Sequence, residues 1–409
     1  MDSEKKELVD MGKERLSEDN DEQMCSHRTL PCGFIKKSPE PFALLYQIAA
    51  WMTLIINPLY INYRVAKDSP LTQYPEIYQE LQQGKTCADN VTYNDINITQ
   101  TGQNITYSDI SNIEEQVKKT ASEWVLSMNL CIRLTSVISG VCWSSFSDIV
   151  GRKKILILQP AGSIMAVLIY IMMEKYSLPL YWTTVASVIE GLGGWITTQE
   201  NVLFAYMADT VSDEQMKFFR FSFLEATLAL SGVFGSPLSG YLVSSQGYYF
   251  TYLIVLFIFI TSLVYLLAIL SESLDVNNRR PSTQIISGIL NSTIHSFHIY
   301  MQSTLARNDK KICILLLITT GIIGLTTGGL ITMETIYVIG HPFCMDSQQV
   351  GGFLTLMSIG QVVGSTAYTS LLKLCLTDTM ILIKCSVMCF AAFLIEALAR
   401  VTAMLYLGE

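Results

Sequence analysis

Ser147-Asp148-Ile149-Val150-Gly151-Arg152-Lys153-Lys154 is the stretch on which the reading of this chain turns. It joins two long apolar segments, about 122–145 and 155–173. Asp148 can face or cap the N-terminus of the helix that follows, where the helix dipole favours an anion. Gly151 permits a tight turn. Arg152 can fork onto a carboxylate of a neighbouring helix. With Lys153 and Lys154 it also makes the loop strongly cationic, the mark of a cytoplasmic loop. A plain inside-positive turn would need no aspartate three residues before the glycine. An ion pair made by Arg152 could break and re-form as the protein moves, so Asp148, Gly151, Arg152 and Lys153 are candidates for a gating loop.

The segments around the loop set its context. Half of the 409 residues are apolar and only 15% are charged, against about 25% charged in soluble domains. Mean hydropathy is +0.37. Apolar runs long enough to span a bilayer recur at about 42–61, 122–145, 155–173, 179–207, 219–243, 249–270, 311–338, 349–372 and 379–402. The chain therefore reads as an all-α polytopic membrane protein with about nine transmembrane helices, and not as an enzyme. A formal charge of −8 argues against a nucleic-acid partner; the lipid bilayer is the expected environment. The fourth and seventh runs exceed what a bilayer needs and are expected to tilt or protrude.

Three stretches are too polar to span: a tail at 1–41, a loop at 62–121 and a linker at 271–310. They divide the chain into a six-helix bundle, 42–270, and a partial bundle of three helices, 311–409. Six spans and a charged linker follow the half-and-half plan of the major facilitator architecture, whose loop pattern D-x-x-G-R-[KR] the opening stretch matches. On this count the second half is incomplete.

Lys and Arg concentrate between spans two and three, between four and five, and in the 271–310 linker. The N-terminus and linker are therefore expected in the cytoplasm and the 62–121 loop outside. No cleavable signal peptide is expected near Met1. The external loop carries three glycosylation triplets, at Asn90, Asn97 and Asn104. Of ten cysteines, Cys87 and Cys344 alone fall on the oxidising side by this topology, which predicts a disulfide between them that bridges the halves. Plasma and endolysosomal membranes both fit a loop that faces away from the cytosol.

Ionisable residues inside spans are costly in lipid and usually face a bundle interior. Arg133 lies midway along span two, Glu190 and Glu200 in span four, Glu225 early in span five and Glu334 late in span seven. Such carboxyl groups can carry a proton during transport; the plain alternative is a structural ion pair with Arg133. On one continuous helix, Glu190 and Glu200 would lie about 80° apart. Glu225 opens a segment containing Gly232, Gly235, Pro237 and Gly240, which allows close approach and local unwinding. Arg133 and Glu200 are candidates for substrate contact, and Glu225, Glu190 and Glu334 for proton coupling. No metal-ligand spacing, phosphate-binding glycine loop or nucleophile–base pattern is present, so neither metal nor cofactor is expected.

Several stretches together resemble solute carrier family 46, the proton-coupled folate transporter family of the major facilitator superfamily. They are DIVGRKK in the two–three loop, FAYMAD at the end of span four, FRFSFLEA at the start of span five, SSQGYYF after it, and HPFCMDS between spans seven and eight. The likeness covers about residues 42–402. It implies proton-driven symport of an organic anion; family substrates include folates, steroid conjugates and nucleotide- or peptidoglycan-derived molecules. It also implies that Glu225 is the span-five glutamate of proton coupling and that Cys87 and Cys344 are the family's external pair. Span seven has no histidine, and span four carries Glu190 and Glu200 where the folate-transporting branch has an arginine and an aspartate. The expected function is secondary active transport of a small organic anion with protons. A chain that ends after nine spans raises a second expectation, a non-transporting pseudo-transporter that acts as a scaffold or receptor-like protein.

Overall fold

A computed structural model describes residues 38–69, 107–211, 214–273, 345–364 and 378–402, with scattered positions from 311 to 343 and at 404–405. Its helices are α1 (Glu40–Lys67), α2 (Tyr107–Val150), α3 (Arg152–Leu156), α4 (Leu158–Tyr176), α5 (Trp182–Leu192), α6 (Trp195–Thr210), α7 (Glu214–Ala268), α8 (Ser347–Val363) and α9 (Asp378–Leu398). Four stretches among the described residues are long and apolar enough to cross a membrane: Glu40–Lys67, Glu115–Asp148, Arg152–Tyr176 and Arg220–Ala268. The last is divided at Gly247, where the backbone leaves helical geometry.

α7 packs against α1 on one side and α8 on the other, while α2 packs on α5 and α4 on α5 and α7. The shared core is aromatic. Tyr46, Tyr60, Tyr170, Tyr252 and Phe259 are fully or almost fully buried. Tyr170 stacks on Tyr252 at 5.2 Å, and Tyr60 meets both edge-on. Tyrosine suits this place because its ring packs apolar surface while its hydroxyl seeks a partner; Tyr252 donates to Asn57 Oδ1 at 2.9 Å.

Small residues let α7 reach its neighbours. A Cβ on Gly235 would lie 2.7 Å from the Ile48 carbonyl of α1, and one on Gly351 of α8 would lie 2.7 Å from the Ser236 carbonyl. The expected close approach is present. The expected unwinding is not: α7 stays helical through Gly232, Gly235, Pro237 and Gly240, because these residues are spent on helix contacts.

Two segments differ from the sequence expectation. Residues 107–121, expected in an external loop, continue α2 as helix. At 1.5 Å per residue the 44 residues of α2 reach about 66 Å, roughly twice the hydrocarbon thickness, so its polar N-terminal part needs no apolar run. The long fourth run does not tilt or protrude as one helix; it breaks into α5 and α6 at Gly193–Gly194.

Candidate functional site

Two clusters of polar side chains gather the candidate residues. The first is at the C-terminal end of α2. Gly151 adopts φ 118° and forms the turn between α2 and α3. A side chain here would be strained by that φ, and the Glu272 carboxylate would have to move to make room for it. That carboxylate also accepts from the Lys153 backbone N–H at 3.3 Å, and Lys153 Nζ donates to the Leu267 carbonyl at 3.0 Å. Arg152 pairs with Asp148, donates through Nε to Asp209 Oδ2 of α6 at 3.1 Å, and donates to Ser147 Oγ at 2.6 Å. Asp148 therefore makes an ion pair with Arg152 and does not cap α3, which has no side-chain cap. Close by, Tyr206 donates to the Ser271 carbonyl at 2.8 Å. Arg220 of α7 pairs with Glu40 of α1 at 2.9 Å, with both side chains under one-tenth exposed.

The second cluster surrounds the α5–α6 break. Gly194, at φ 100°, opens α6, and Trp195 follows at φ 50°. A bulky residue in the left-handed region costs about 1–3 kcal/mol and persists only where its surroundings hold it. Here they do. Ser139 Oγ donates to the Gly191 carbonyl at 2.6 Å, and Trp143 Nε1 to the Leu192 carbonyl at 2.8 Å. α2 thus satisfies carbonyls at the end of α5 that a continuous helix would pair internally. The Arg133 guanidinium lies over the Trp195 ring, 4.4 Å from its centroid, a cation–π contact.

Glu190 lies on α5 just before this break and is 7% exposed. Ser163 Oγ donates to its Oε1 at 3.3 Å, and Ser163 shares a 3.2 Å hydrogen bond with the Tyr46 hydroxyl. A serine has one hydroxyl proton, so while Glu190 is ionised Ser163 donates to it and Tyr46 donates to Ser163. On its other side Glu190 borders a cavity of about 20 Å³, room for one water. Asn57, Asn129, Ser187 and Trp195 share that lining.

Glu200 is on α6, beyond the break, so the angle expected on one continuous helix does not apply. Gln47 Nε2 of α1 reaches both Glu200 Oε1 and Gln199 Oε1, at 3.3 Å each. Sequence reasoning missed Gln47, Ser163 and Tyr46, which are ordinary residues until their helices meet. The structure joins Glu190 to Tyr46 through Ser163, Glu200 to Gln47, and sets Arg133 on Trp195. Glu334, Cys87, Cys344, Asn90, Asn97 and Asn104 lie outside the described residues.

Residues 43–408 match the Major Facilitator Superfamily. The lysosomal proton-coupled steroid conjugate and bile acid symporter SLC46A3 of Rattus norvegicus is 24% identical over 376 residues, 90% of this chain and 75% of that protein. The proton-coupled folate transporter of Bos taurus is 24% identical over 302 residues, 72% of this chain and 63% of that protein. Among solved structures, the human organic anion transporter MFSD10 (TETRAN) aligns with a TM-score of 0.56 at 14% identity, over 91% of this chain and 82% of that one. At that identity the likeness establishes the fold.

Proposed function

The chain belongs to the major facilitator superfamily, carriers and not enzymes, and we propose that it carries an organic anion across the membrane together with protons. One observation carries the proton part of this reading. Among the described residues, Glu190 is held in the helix core by a serine and no cation, at the edge of a water-sized cavity. Charge is expensive in that setting. A carboxyl group that meets water on one side and a hydroxyl chain on the other can exchange its proton when the cavity opens. Glu200 and Glu225 form the second station, where two like charges oppose each other; a proton shared there relieves the repulsion. Arg133 supplies positive charge for the anion, and Glu334 is a further proton candidate.

The Asp148–Arg152–Asp209 cluster is the gate. It ties the end of α2 to α6, and Glu272 ties Gly151 and Lys153 to the segment after α7. In this proposal these contacts hold one access state and part in the other, while substrate binds near the bilayer midplane. The N-terminus and the 271–310 linker are cytoplasmic, nine helices cross the membrane, Cys87 bonds to Cys344, and Asn90, Asn97 and Asn104 carry glycans. The names of the relatives, a lysosomal proton-coupled symporter of steroid conjugates and bile acids and a proton-coupled folate transporter, support an organic anion; the membrane in this proposal is plasma or endolysosomal.

Uptake of a panel of labelled organic anions, in acidic and in neutral external buffer, tests this. Acid should speed uptake of at least one anion, and Glu225→Gln should abolish that acceleration. An anion taken up equally at both pH values, or a pH response that survives Glu225→Gln, would reject the coupling role.

A further inference from the structure

Five oxygen-bearing side chains from three helices line the cavity of about 20 Å³ beside Glu190: Thr53 and Asn57 of α1, Asn129 of α2, and Ser187 and Glu190 of α5. Both hydroxyl protons are spent elsewhere. Thr53 Oγ1 donates to the Ala50 carbonyl at 2.8 Å and Ser187 Oγ to the Thr183 carbonyl at 2.9 Å, each back along its own helix. What they keep for the cavity is oxygen lone pairs. Asn129 Nδ2 donates to the Val125 carbonyl at 2.8 Å, which leaves Oδ1 available. Asn57 Oδ1 accepts from Tyr252 and has a second lone pair. Glu190 takes the Ser163 hydroxyl on Oε1, which leaves Oε2. Thr53, Asn57, Ser187 and Glu190 are each more than nine-tenths buried.

The helix end beside them favours positive charge. α5 has its C-cap at Gly193, three residues after Glu190, and the chain turns at Gly194. The C-terminal end of a helix carries partial negative charge, and interrupted membrane helices present such ends to coupling ions. The oxygens narrow the choice of ion. Ca²⁺ takes about six to eight oxygen ligands, more than this lining offers. Mg²⁺ keeps several waters, which a cavity of this size cannot hold. One carboxylate among neutral oxygens balances a single charge. A water can donate to two of these oxygens, whereas a dehydrated monovalent cation can be met by all of them. The other ionisable groups nearby leave the balancing charge to Glu190. Tyr46 of α1 lies behind Ser163, Tyr170 of α4 donates to Met128 Sδ, Glu200 of α6 is held by Gln47, and Arg133 of α2 sits on the Trp195 ring; none of the four lines the cavity. No ligand spacing marks the site in the sequence, because its oxygens are mostly neutral and come from three helices.

We propose that this cavity is a Na⁺ site, with Glu190 as the balancing charge and Thr53, Asn57, Asn129 and Ser187 as neutral oxygen ligands. The inference rests on the reading of Glu190 as a proton station and extends it: one carboxylate serves both ions, so Na⁺ and the proton exclude each other. A cation held by ionised oxygen ligands competes with their protonation.

The experiment measures binding of ²²Na⁺ to the purified full chain in detergent, with choline keeping ionic strength constant. Binding at neutral pH should saturate and be displaced by unlabelled Na⁺. It should weaken by about tenfold per pH unit once the proton fills the carboxyl group. Glu190→Gln should abolish it, and Ser187→Ala, which removes one neutral oxygen, should weaken it about tenfold. Thermal unfolding guards against a misfolded variant: in choline Glu190→Gln should melt close to the parent, and Na⁺ should raise the melting temperature of the parent alone. Absence of ²²Na⁺ binding, or equal binding by the parent and Glu190→Gln, overturns the site and leaves water in the cavity. Displacement by K⁺ as readily as by Na⁺ overturns the assignment to Na⁺. Uptake separates this inference from the proton reading. If both hold, external Na⁺ in place of choline should move the acid response to lower pH. An acid response abolished by Glu190→Gln in a chain that binds no Na⁺ keeps the proton role and overturns the ion site. Na⁺ binding in a chain whose uptake ignores pH upholds the site and rejects the proton role.

Discussion

At the rim, Arg152 holds Asp148 and Asp209, and Arg220 holds Glu40. In the interior, Glu190 is held by Ser163, and Glu200 by Gln47. The contrast is between carboxylates fixed by cations and carboxyl groups served by neutral donors. An arginine partner requires the charged carboxylate. A serine hydroxyl can donate to a carboxylate or accept from a carboxylic acid, and a glutamine side chain can do the same through its two ends. The rim partners therefore require charged carboxylates, and the interior partners are compatible with either protonation state. Each prediction below attacks one side of that division.

The largest effect on stability is expected at the rim. Glu40→Gln leaves Arg220 facing an amide in a place where both side chains are under one-tenth exposed. Breaking one partner of such a pair costs about 3–5 kcal/mol, and removing both partners costs far less. Thermal unfolding in detergent should show a large drop for Glu40→Gln and a recovery in the Glu40→Met, Arg220→Met double variant. Equal melting temperatures for the single variant and the parent would show that the rim pair is not structural.

The frame of the interior comes next. A Cβ on Gly191 would lie 2.7 Å from the Ile132 carbonyl and would also press on the Thr135 hydroxyl. Gly191→Ala should cost about 1–3 kcal/mol by overpacking, read by the same thermal unfolding. Gly352, whose Cβ would meet nothing within 4 Å, is the control: Gly352→Ala should leave the melting temperature unchanged or slightly raised.

How much of this division was legible in the sequence depended on whether the signal was local. The loop at Ser147–Lys154 carried its own chemistry in eight residues, so its turn glycine and its arginine fork could be read directly. The α5–α6 break was not read, because hydropathy averages over a window and Trp195 and Ile196 keep the run apolar across it. Its signal was present in Gly193–Gly194, at the centre of a run too long for one span. The α2 overhang was missed for the opposite reason: a helix in water needs no apolar run, and Lys118, Lys119 and Thr120 read as loop. The meeting of Gln47 with Glu200, and of Tyr46 with Ser163 and Glu190, joins residues more than 100 positions apart in most pairs, and no single-sequence pattern encodes it.

Arg152→Lys tests the proposed gate without removing its charge. Lysine cannot serve Asp148, Asp209 and Ser147 from one planar fork, and with Asp148 largely exposed the loss should be about 1 kcal/mol. That is about a fivefold change in the balance of access states. Cysteine labelling from the membrane face that carries the cluster, at a position introduced next to it such as Asn201→Cys, should rise by that factor. Unchanged labelling would leave the cluster as a turn that gates nothing.

The smallest effect on stability should accompany the sharpest effect on pH dependence, at Glu190. Glutamine matches glutamate in size, and its amide oxygen can still accept from Ser163, so Glu190→Gln should change stability by about 1 kcal/mol or less. It cannot bind and release a proton. If the interior carboxyl group takes up a proton from the acidic side, the protonated state is the one filled at low external pH, and acid accelerates uptake in the parent chain. Glu190→Gln holds the neutral state at every pH, so uptake should lose its rise towards acid and proceed at a rate independent of external pH. Ser163→Ala removes the donor but keeps the carboxyl group, so it should keep a pH response whose midpoint is displaced. The two variants separate a group that carries the proton from one that only positions it: a pH response retained in Glu190→Gln would take proton coupling away from Glu190 and leave it to Glu200 and Glu225.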